Sequence, residues 1–313
     1  MNKNVINTIK LASLPIALFL IFSIFAKGFG VHSIPIIVSQ SVIPVITGLG
    51  LGILMNAGLM DFSMGARAVF GALVGGMLAQ EYGVWGLLLG CALGAMFAAF
   101  VMALLYYVLK IPAMVISLGI VLIFEVLGAK IASSSGYLTI TKSEYIIGSY
   151  PNNTIIMLAA VAIAYIIYYK MQIGNHVIAV GNDEKMCKNL GINASKVKFI
   201  AILLTGIFSA FAALLYICYS GSITVATEMS TMSMVSRPIM CVVLGRYMRK
   251  YLDCMPLLIL IGGLSISIIF NGFIAMGFSE NIQDIVLGVF LILILGSESI
   301  TEIFSQKKRK VVA

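Results

Sequence analysis

Residues that could do chemistry are sparse in this chain, and none of their spacings forms a catalytic or metal-binding motif. The chain has two histidines, His32 and His176, which cannot build a metal cluster together. Its five cysteines have no paired spacing and mostly lie in apolar runs, where free cysteine behaves as a small hydrophobic residue. No nucleophile elbow, zinc-protease motif or phosphate-loop lysine occurs. We therefore predict that the chain is not an enzyme and needs no metal or cofactor.

Ionisable residues inside apolar runs are the next candidates for function. A charged side chain is expensive in lipid, so it faces protein or water and often marks a solute path. Glu125 and Arg237 are the two candidates. They could lie on such a path or pair with each other. Alternatively, Glu125 lies near the outer end of its span, and Arg237 extends toward the membrane surface. We favour this alternative for Glu125, while both interpretations stay open for Arg237.

A break in the apolar pattern occurs at residues 57–65. Asp61 or Ser63 could cap a new helix there. One interpretation is a discontinuous helix, whose free backbone groups meet solute near the middle of the membrane. The other is an ordinary cytoplasmic turn between two spans. Both interpretations stay open.

The longest polar segment is residues 181–191, and it predicts a short helix. Asn182 can cap the helix, while Asp183 and Glu184 place negative charge in its first turn. Gly191 can adopt the left-handed conformation that ends a helix. The segment therefore predicts about two helical turns between two membrane spans.

An apolar ridge is expected on this short helix. Met186 and Leu190 lie four residues apart, and Cys187 lies beside them. Such a ridge suits a groove on another protein. A solvated helix with no partner explains the same pattern equally well.

The composition places these residues in a membrane protein. Of 313 residues, 61% are hydrophobic and 10% are charged, and the mean hydropathy is +1.08. A soluble core cannot cover this much apolar surface. The apolar runs are continuous rather than alternating, which indicates helices rather than barrel strands. We predict an all-α polytopic transmembrane bundle that forms a single domain over residues 1–313.

About ten spans, with a range of eight to ten, fit the apolar runs. The predicted spans are 11–26, 34–58, 64–80, 84–109, 112–132, 154–169, 197–219, 232–244, 255–275 and 282–295. With both termini in the cytoplasm, sixteen of the twenty lysines and arginines fall on the cytoplasmic side, as the positive-inside rule expects. The net charge of +8 is then explained by an anionic lipid leaflet, without a nucleic-acid partner.

Four stretches, in order, carry a resemblance to one family. The permease subunits of ribose-type ATP-binding cassette (ABC) importers, in the branched-chain amino acid and sugar permease superfamily, show similar motifs. Residues 61–65, Asp-Phe-Ser-Met-Gly, resemble that family's Asp-Leu-Ser-Val-Gly, and residues 112–119 resemble its Pro-x-Phe-Ile-x-Thr-Leu-Gly. Residues 179–193 resemble its Ala-Ile-Gly-Gly-Asn and Gly-Ile-Asn, and residues 283–288 its closing Gln-x-x-x-x-Gly.

The resemblance implies a function and partners. A multi-pass permease of the bacterial cytoplasmic membrane would translocate a small polar solute, a sugar, a sugar-like molecule or a nucleoside. Segment 174–196 would be the cytoplasmic coupling segment that docks in a separate ATPase subunit. Its contact residues would be Asn182, Asp183, Glu184, Met186, Cys187, Leu190 and Gly191. A solute-binding protein would deliver solute to the outer loops, and a second permease subunit would complete the pore.

The resemblance also implies a solute pathway along the interface between two permeases. The residues expected on it are Asn56, Asp61, Ser63, Ser117 and Arg237. Where the family has an acidic residue, this chain has Arg237. Where the family later has a Gly-Gly turn, this chain has Gly245 followed by Arg246 and Tyr247. A glycine turn permits conformations that larger residues reach only at a cost. We hypothesise that this chain is the divergent member of a heterodimer, with a homodimer as the alternative.

A second class of function fits the same apolar composition. The chain could be a gradient-driven secondary transporter or channel that needs no ATPase, with Glu125 or Asp61 as an ion site. The small number of acidic residues within the spans argues against it.

Overall fold

The computed structural model is a helical bundle that describes most of the chain. It covers residues 3–26, 28–132, 136–140 and 142–279, together with 282, 283, 285, 286, 288, 289 and 292. The α-helices are α1 (Lys3–Phe25), α2 (Ile34–Asn56), α3 (Met64–Leu109), α4 (Ala113–Ile131), α5 (Lys142–Gly148), α6 (Asn152–Tyr169), α7 (Gln172–Asn182), α8 (Glu184–Asn189), α9 (Ala194–Ser220), α10 (Ser236–Met248) and α11 (Met255–Ala275). Short 3₁₀ helices precede α2 and α10, at Val31–Ser33 and Ser230–Val235.

Membrane-spanning length separates the long helices from the short ones. Within the described residues, six helical segments, those of α2, α3, α4, α6, α9 and α11, are long and apolar enough to cross a membrane. At about 1.5 Å per residue, the 13 residues of α10 reach only about 20 Å, less than the roughly 30 Å hydrocarbon core. The all-helical membrane fold predicted from the sequence is therefore present.

Helix α3 is two antiparallel arms joined at a glycine. Gly83 has φ 58° and ψ −142°, a conformation that is non-helical and unfavourable for other residues. The arms touch through glycines. A Cβ atom added to Gly90 would lie 2.6 Å from the Cα atom of Gly75, and one added to Gly94 would lie 3.0 Å from the Cα atom of Gly71. The predicted helices 64–80 and 84–109 are therefore the arms of one hairpin, which leaves the side chain of Trp85 exposed at its turn.

Helix α2 is the centre of the bundle, and it packs against α6, α7, α9, α10 and α11. Two of its glycines allow close approach on opposite sides. A Cβ atom on Gly50 would lie 2.7 Å from Met64 Cε, and one on Gly52 would lie 2.8 Å from both Ile259 Cδ1 and the Tyr168 hydroxyl. Small residues of this kind allow helix backbones to pack closely in membranes.

Two regions differ from the sequence prediction. An antiparallel ribbon pairs β1 (Tyr137–Thr139) with β2 (Ser222–Thr224), with Leu138 opposite Ile223. Predicted span 232–244 is instead the end of the 3₁₀ helix followed by most of α10. The break arises because the Glu125 carboxylate accepts hydrogen bonds from the backbone nitrogens of Met229 and Thr231. The predicted span 282–295 lies only partly within the described residues, and the C-terminal tail lies outside them.

Replacing Gly90 with alanine should destabilise the chain, because its Cβ atom would meet backbone in the facing arm. Overpacking of this kind costs about 1–3 kcal/mol. Gly119 is the matched control, since a Cβ atom there meets nothing within 4 Å and alanine favours helix. We expect a lower melting temperature in detergent for Gly90→Ala and an unchanged or higher one for Gly119→Ala. Equal melting temperatures would contradict the hairpin contact.

Candidate functional site

A large cavity lies beside α2 and has a mixed polar and apolar lining. Its volume is about 830 Å³, within the range of small-molecule sites. Helix α2, the start of α3, the end of α9 and the start of α10 supply most of its walls. The polar lining residues are Ser39, Gln40, Thr47, Tyr216, Tyr219, Ser220, Ser233, Ser236, Arg237 and Gln283.

Arg237 is the one residue of the predicted solute pathway that lines this cavity. Its guanidinium carbon lies 4.1 Å from the centre of the Phe270 ring, a cation–π distance. The other four, Asn56, Asp61, Ser63 and Ser117, are buried elsewhere in the bundle. The Ser117 hydroxyl, for example, donates to the Met114 carbonyl at 2.7 Å, within its own helix.

Sequence reasoning missed most of the polar cavity wall. Gln40 and Thr47 lie on α2, seven residues apart and therefore on one helix face. Gln40 is held by Asn271, whose amide nitrogen donates to its Oε1 atom at 2.8 Å. The spacing of Gln40 and Thr47 in the sequence could have indicated a polar face on this helix. Tyr216 on α9 reaches the same space only because α9 packs along α2 and α3.

Glu125 is a structural acceptor and not a partner of Arg237. Its side chain is 5% exposed. It accepts hydrogen bonds from the backbone nitrogen of Met229 at 2.9 Å and from the Thr231 backbone nitrogen and hydroxyl at 3.0 and 2.7 Å. Gly65 lies against the Thr231 carbonyl, where a Cβ atom would approach to 2.2 Å. The carboxylate thus fixes the 3₁₀ segment that leads to the cavity wall.

The break between α2 and α3 is buried and built on an ion pair. Asp61 accepts from the Ser63 backbone nitrogen and hydroxyl, both at 2.7 Å, and it pairs with Arg67. Arg67 is fully buried and also donates to the Thr205 hydroxyl at 2.9 Å. The break is therefore a turn between two helices, and its polar side chains are enclosed by the bundle. Arg67, one of the sixteen basic residues counted on the cytoplasmic side, is enclosed by the fold.

The coupling segment predicted at 174–196 contains most of α7, all of α8 and the start of α9. Helix α7 ends at Asn182, so this residue is not the cap. Asp183 is the cap of α8, and its carboxylate accepts from the Met186 backbone nitrogen at 2.9 Å. Gly191 has φ 79° and closes α8 in the left-handed conformation, as its type and position indicate.

The side chains of α8 divide between the bundle and the outside. Met186 and Leu190 are 62% and 69% exposed, so they form an uncovered apolar ridge. Cys187 is 4% exposed and packs into the core, so it does not contribute to that ridge. Glu184 forms an ion pair with Lys198 of α9 at 2.6 Å, which ties the start of α8 to the bundle.

Helix α7 contacts α2 through a glycine. A Cβ atom on Gly181 would lie 1.8 Å from the Asn56 carbonyl oxygen, so only glycine fits at this position. Gly58, with φ 72°, follows on the other side of the contact. The end of α2, and with it the helix that carries Gln40 and Thr47, is therefore in direct backbone contact with the segment that carries α8.

The loop from α10 to α11 is basic and aromatic. Arg249 pairs with Asp253 at 2.8 Å, with both side chains largely exposed. The Lys250 amine lies 4.1 Å from the Tyr247 ring centre, and hydrogen bonding to this tyrosine raises the pKa of the lysine. Gly245 still allows a close approach, since a Cβ atom there would lie 3.2 Å from the Ile259 backbone nitrogen.

Among the described residues, no cluster of three His, Cys, Asp or Glu side chains could hold a metal.

Breaking the buried ion pair from one side should destabilise the chain strongly. Asp61→Asn leaves the charge of Arg67 buried and unpaired, at a cost of about 3–5 kcal/mol. The double variant Asp61→Asn/Arg67→Gln should cost less than the sum of its two single variants. Arg249→Gln, which opens an exposed pair worth about 1 kcal/mol or less, is the control. Thermal unfolding in detergent measures all four, and an Asp61→Asn effect as small as the control would contradict a buried pair.

Two curated relatives are similar to part of this chain. The galactose/methyl galactoside import permease proteins MglC of Escherichia coli and Salmonella typhimurium are each 25% identical to it over 215 residues. The match covers 60% of this chain and spans 63% of the length of each relative.

The fold and the family agree with that similarity. A solved chain from an inward-facing ABC transporter, assigned to the metal-chelate type, superimposes with a TM-score of 0.57 at 12% identity, covering 92% of this chain and 99% of that one. Taken with its long apolar helices, these matches make the chain a multi-pass inner-membrane protein whose relatives are transport permeases rather than enzymes. The family of branched-chain amino acid transport system permease components matches residues 33–295. The chain belongs to this permease family.

Proposed function

We propose that this chain is the permease subunit of an ABC importer that carries a small polar, sugar-like solute across the inner membrane. The observation that carries the proposal is the connection between two surfaces through α2. The cavity lies along this helix, and the exposed ridge of α8 is attached to its end at Gly181. A fold of this kind can link events at a cytoplasmic partner to a solute cavity. The galactoside permease relatives support a sugar-like solute.

Segment 174–196 is the proposed coupling segment. Met186 and Leu190 supply the apolar contact, and a separate ATPase subunit supplies the groove and the energy. Of the other residues predicted to contact the ATPase, Asp183 and Gly191 fix the two ends of α8, while Glu184 anchors it to α9. Closure of the ATPase on ATP would move α8 and α7, and through the contact at Gly181 would shift α2 between two states.

The proposed topology has ten spans with both termini in the cytoplasm, in a single domain over residues 1–313. The two arms of α3 count as two spans, and α1 and the continuous 3₁₀ and α-helical segment 230–248 are added to the long helices. Segment 282–295 supplies the tenth. The proposed outer side carries residues 133–153, which include β1 and α5, as a surface for a solute-binding protein. Lipid contacts the remaining apolar faces.

The second permease subunit is proposed to be a different chain. Arg246 and Tyr247 follow Gly245 at the exposed end of α10, and Lys250 lies against Tyr247. This arrangement replaces the flexibility of a glycine turn with a bulky basic surface. A partner that retains the glycines would complement it, and a homodimer is the alternative.

ATP-driven transport is tested by reconstituting the complete importer in liposomes. We expect uptake of at least one labelled sugar, neutral or acidic, that requires ATP and the ATPase subunit. Transport by the lone chain along an ion gradient, without ATP, would instead support the secondary-transporter alternative.

Charging the ridge should uncouple the importer. Replacing both Met186 and Leu190 with aspartate places charge in an otherwise dry contact, and losses at such contacts are about 2 kcal/mol or more, or over tenfold in affinity. We expect solute-stimulated ATP hydrolysis to be abolished while membrane insertion stays normal. Asn189→Asp adds one negative charge to exposed α8 without removing the ridge, and it should keep most of the stimulation. Unchanged stimulation in the double variant would exclude α8 from the energy pathway.

Native mass spectrometry of the affinity-purified importer tests the heterodimer. We expect one copy of this chain and one copy of a second permease in each complex. Complexes that contain two copies of this chain and no other permease would contradict the heterodimer and favour the homodimer.

A further inference from the structure

We propose that the cavity selects an anionic solute, a sugar-sized molecule bearing a carboxylate or phosphate group, and that Arg237 is the residue that selects it. This inference rests on the proposed transport function and names the class of solute. Among the described lining residues Arg237 carries the one formal charge, and the remainder are neutral.

Two buried acidic side chains of the described residues, Asp61 and Glu125, are engaged away from the cavity. Asp61 is paired with Arg67, and Glu125 accepts three hydrogen bonds from residues 229 and 231. Neither residue lines the cavity. In the described part of the chain Arg237 has no ion pair. Among the described residues, no acidic side chain therefore balances this charge at the cavity, where partly apolar walls strengthen electrostatic interactions.

The guanidinium of Arg237 is held ready to bind an anion. Its guanidinium carbon lies over Phe270, 4.1 Å from the ring centre. This cation–π contact restricts the side chain. Within the described residues nothing accepts a hydrogen bond from its planar fork, which matches a carboxylate or phosphate with two parallel hydrogen bonds. Arg237 also lies in the first turn of α10, where the positive end of the helix dipole adds to its charge.

Neutral polar groups around Arg237 fit the rest of a sugar. Ser233 and Ser236 flank it on the same wall, and Gln40 and Tyr216 line the space on other helices. Hydroxyl and amide groups of this kind can donate to and accept from sugar hydroxyls. The cavity thus combines one charged anchor with several neutral groups, an arrangement that distinguishes an acid sugar from its neutral counterpart.

Saturation-transfer NMR on the purified full-length chain in detergent tests the selection directly. The probes are galacturonate, galactose 6-phosphate and galactose at millimolar concentration, so a carboxylate, a phosphate and a neutral sugar are compared. We expect signals from at least one anionic probe and weaker signals from galactose. Arg237→Gln should weaken anion binding about tenfold or more, the usual loss for a hydrogen bond to a charged group.

Two variants control this measurement. Arg237→Lys keeps the charge but not the fork, so it should retain part of the anion binding. Arg249→Gln removes an arginine outside the cavity and should leave binding unchanged. Size-exclusion profiles check that each variant is folded.

Three results would overturn the selection: equal or stronger binding of galactose, anion binding unaffected by Arg237→Gln, or no binding of any probe. Because the measurement uses neither ATP nor an ATPase, its failure is separate from failure of ATP-dependent uptake.

Discussion

Close backbone packing around α2 is the constraint on which the rest of this structure depends. Gly50 and Gly52 let neighbouring helices approach α2 on two sides, and Gly181 meets its end at the Asn56 carbonyl. Closely packed protein interiors switch between discrete arrangements instead of deforming continuously. Movement at the end of α2 must then be accompanied by repacking along the cavity wall that the same helix supplies. The proposed coupling between an ATPase and a solute depends on this mechanical property.

Charged residues in this apolar bundle have two distinct surroundings. Asp61, Arg67 and Glu125 are buried and bonded to partners within the chain, so they hold the α2–α3 break and the 3₁₀ segment in place. Arg237 and the two lysines of α8, Lys185 and Lys188, instead have exposed side chains. Because lipid tolerates neither unpaired charge nor free backbone groups, the first set can be assigned to the fold. The second set is then available for solute and for partners.

The sequence predicted the helices well and the interior poorly, for physical reasons. Apolar runs and helix ends depend on local residues, so the spans at 34–58, 112–132 and 255–275 are close to α2, α4 and α11. Whether a side chain is buried depends instead on which helices pack against it. Cys187 was predicted on an exposed ridge, yet it packs inward, because helix spacing alone does not say which side meets the bundle. Arg67 has an ion-pair partner within six residues, but the sequence could not show that both are enclosed.

The turn of the α3 hairpin carries an intrinsic fluorescent probe. Trp85 is the single tryptophan of the chain, and its side chain is 74% exposed two residues after Gly83. Indole rings favour the boundary between lipid and water. Its intrinsic fluorescence therefore comes from one known position. Quenching by brominated lipids of graded depth would report how deeply this end of the bundle sits in a bilayer, without any introduced label.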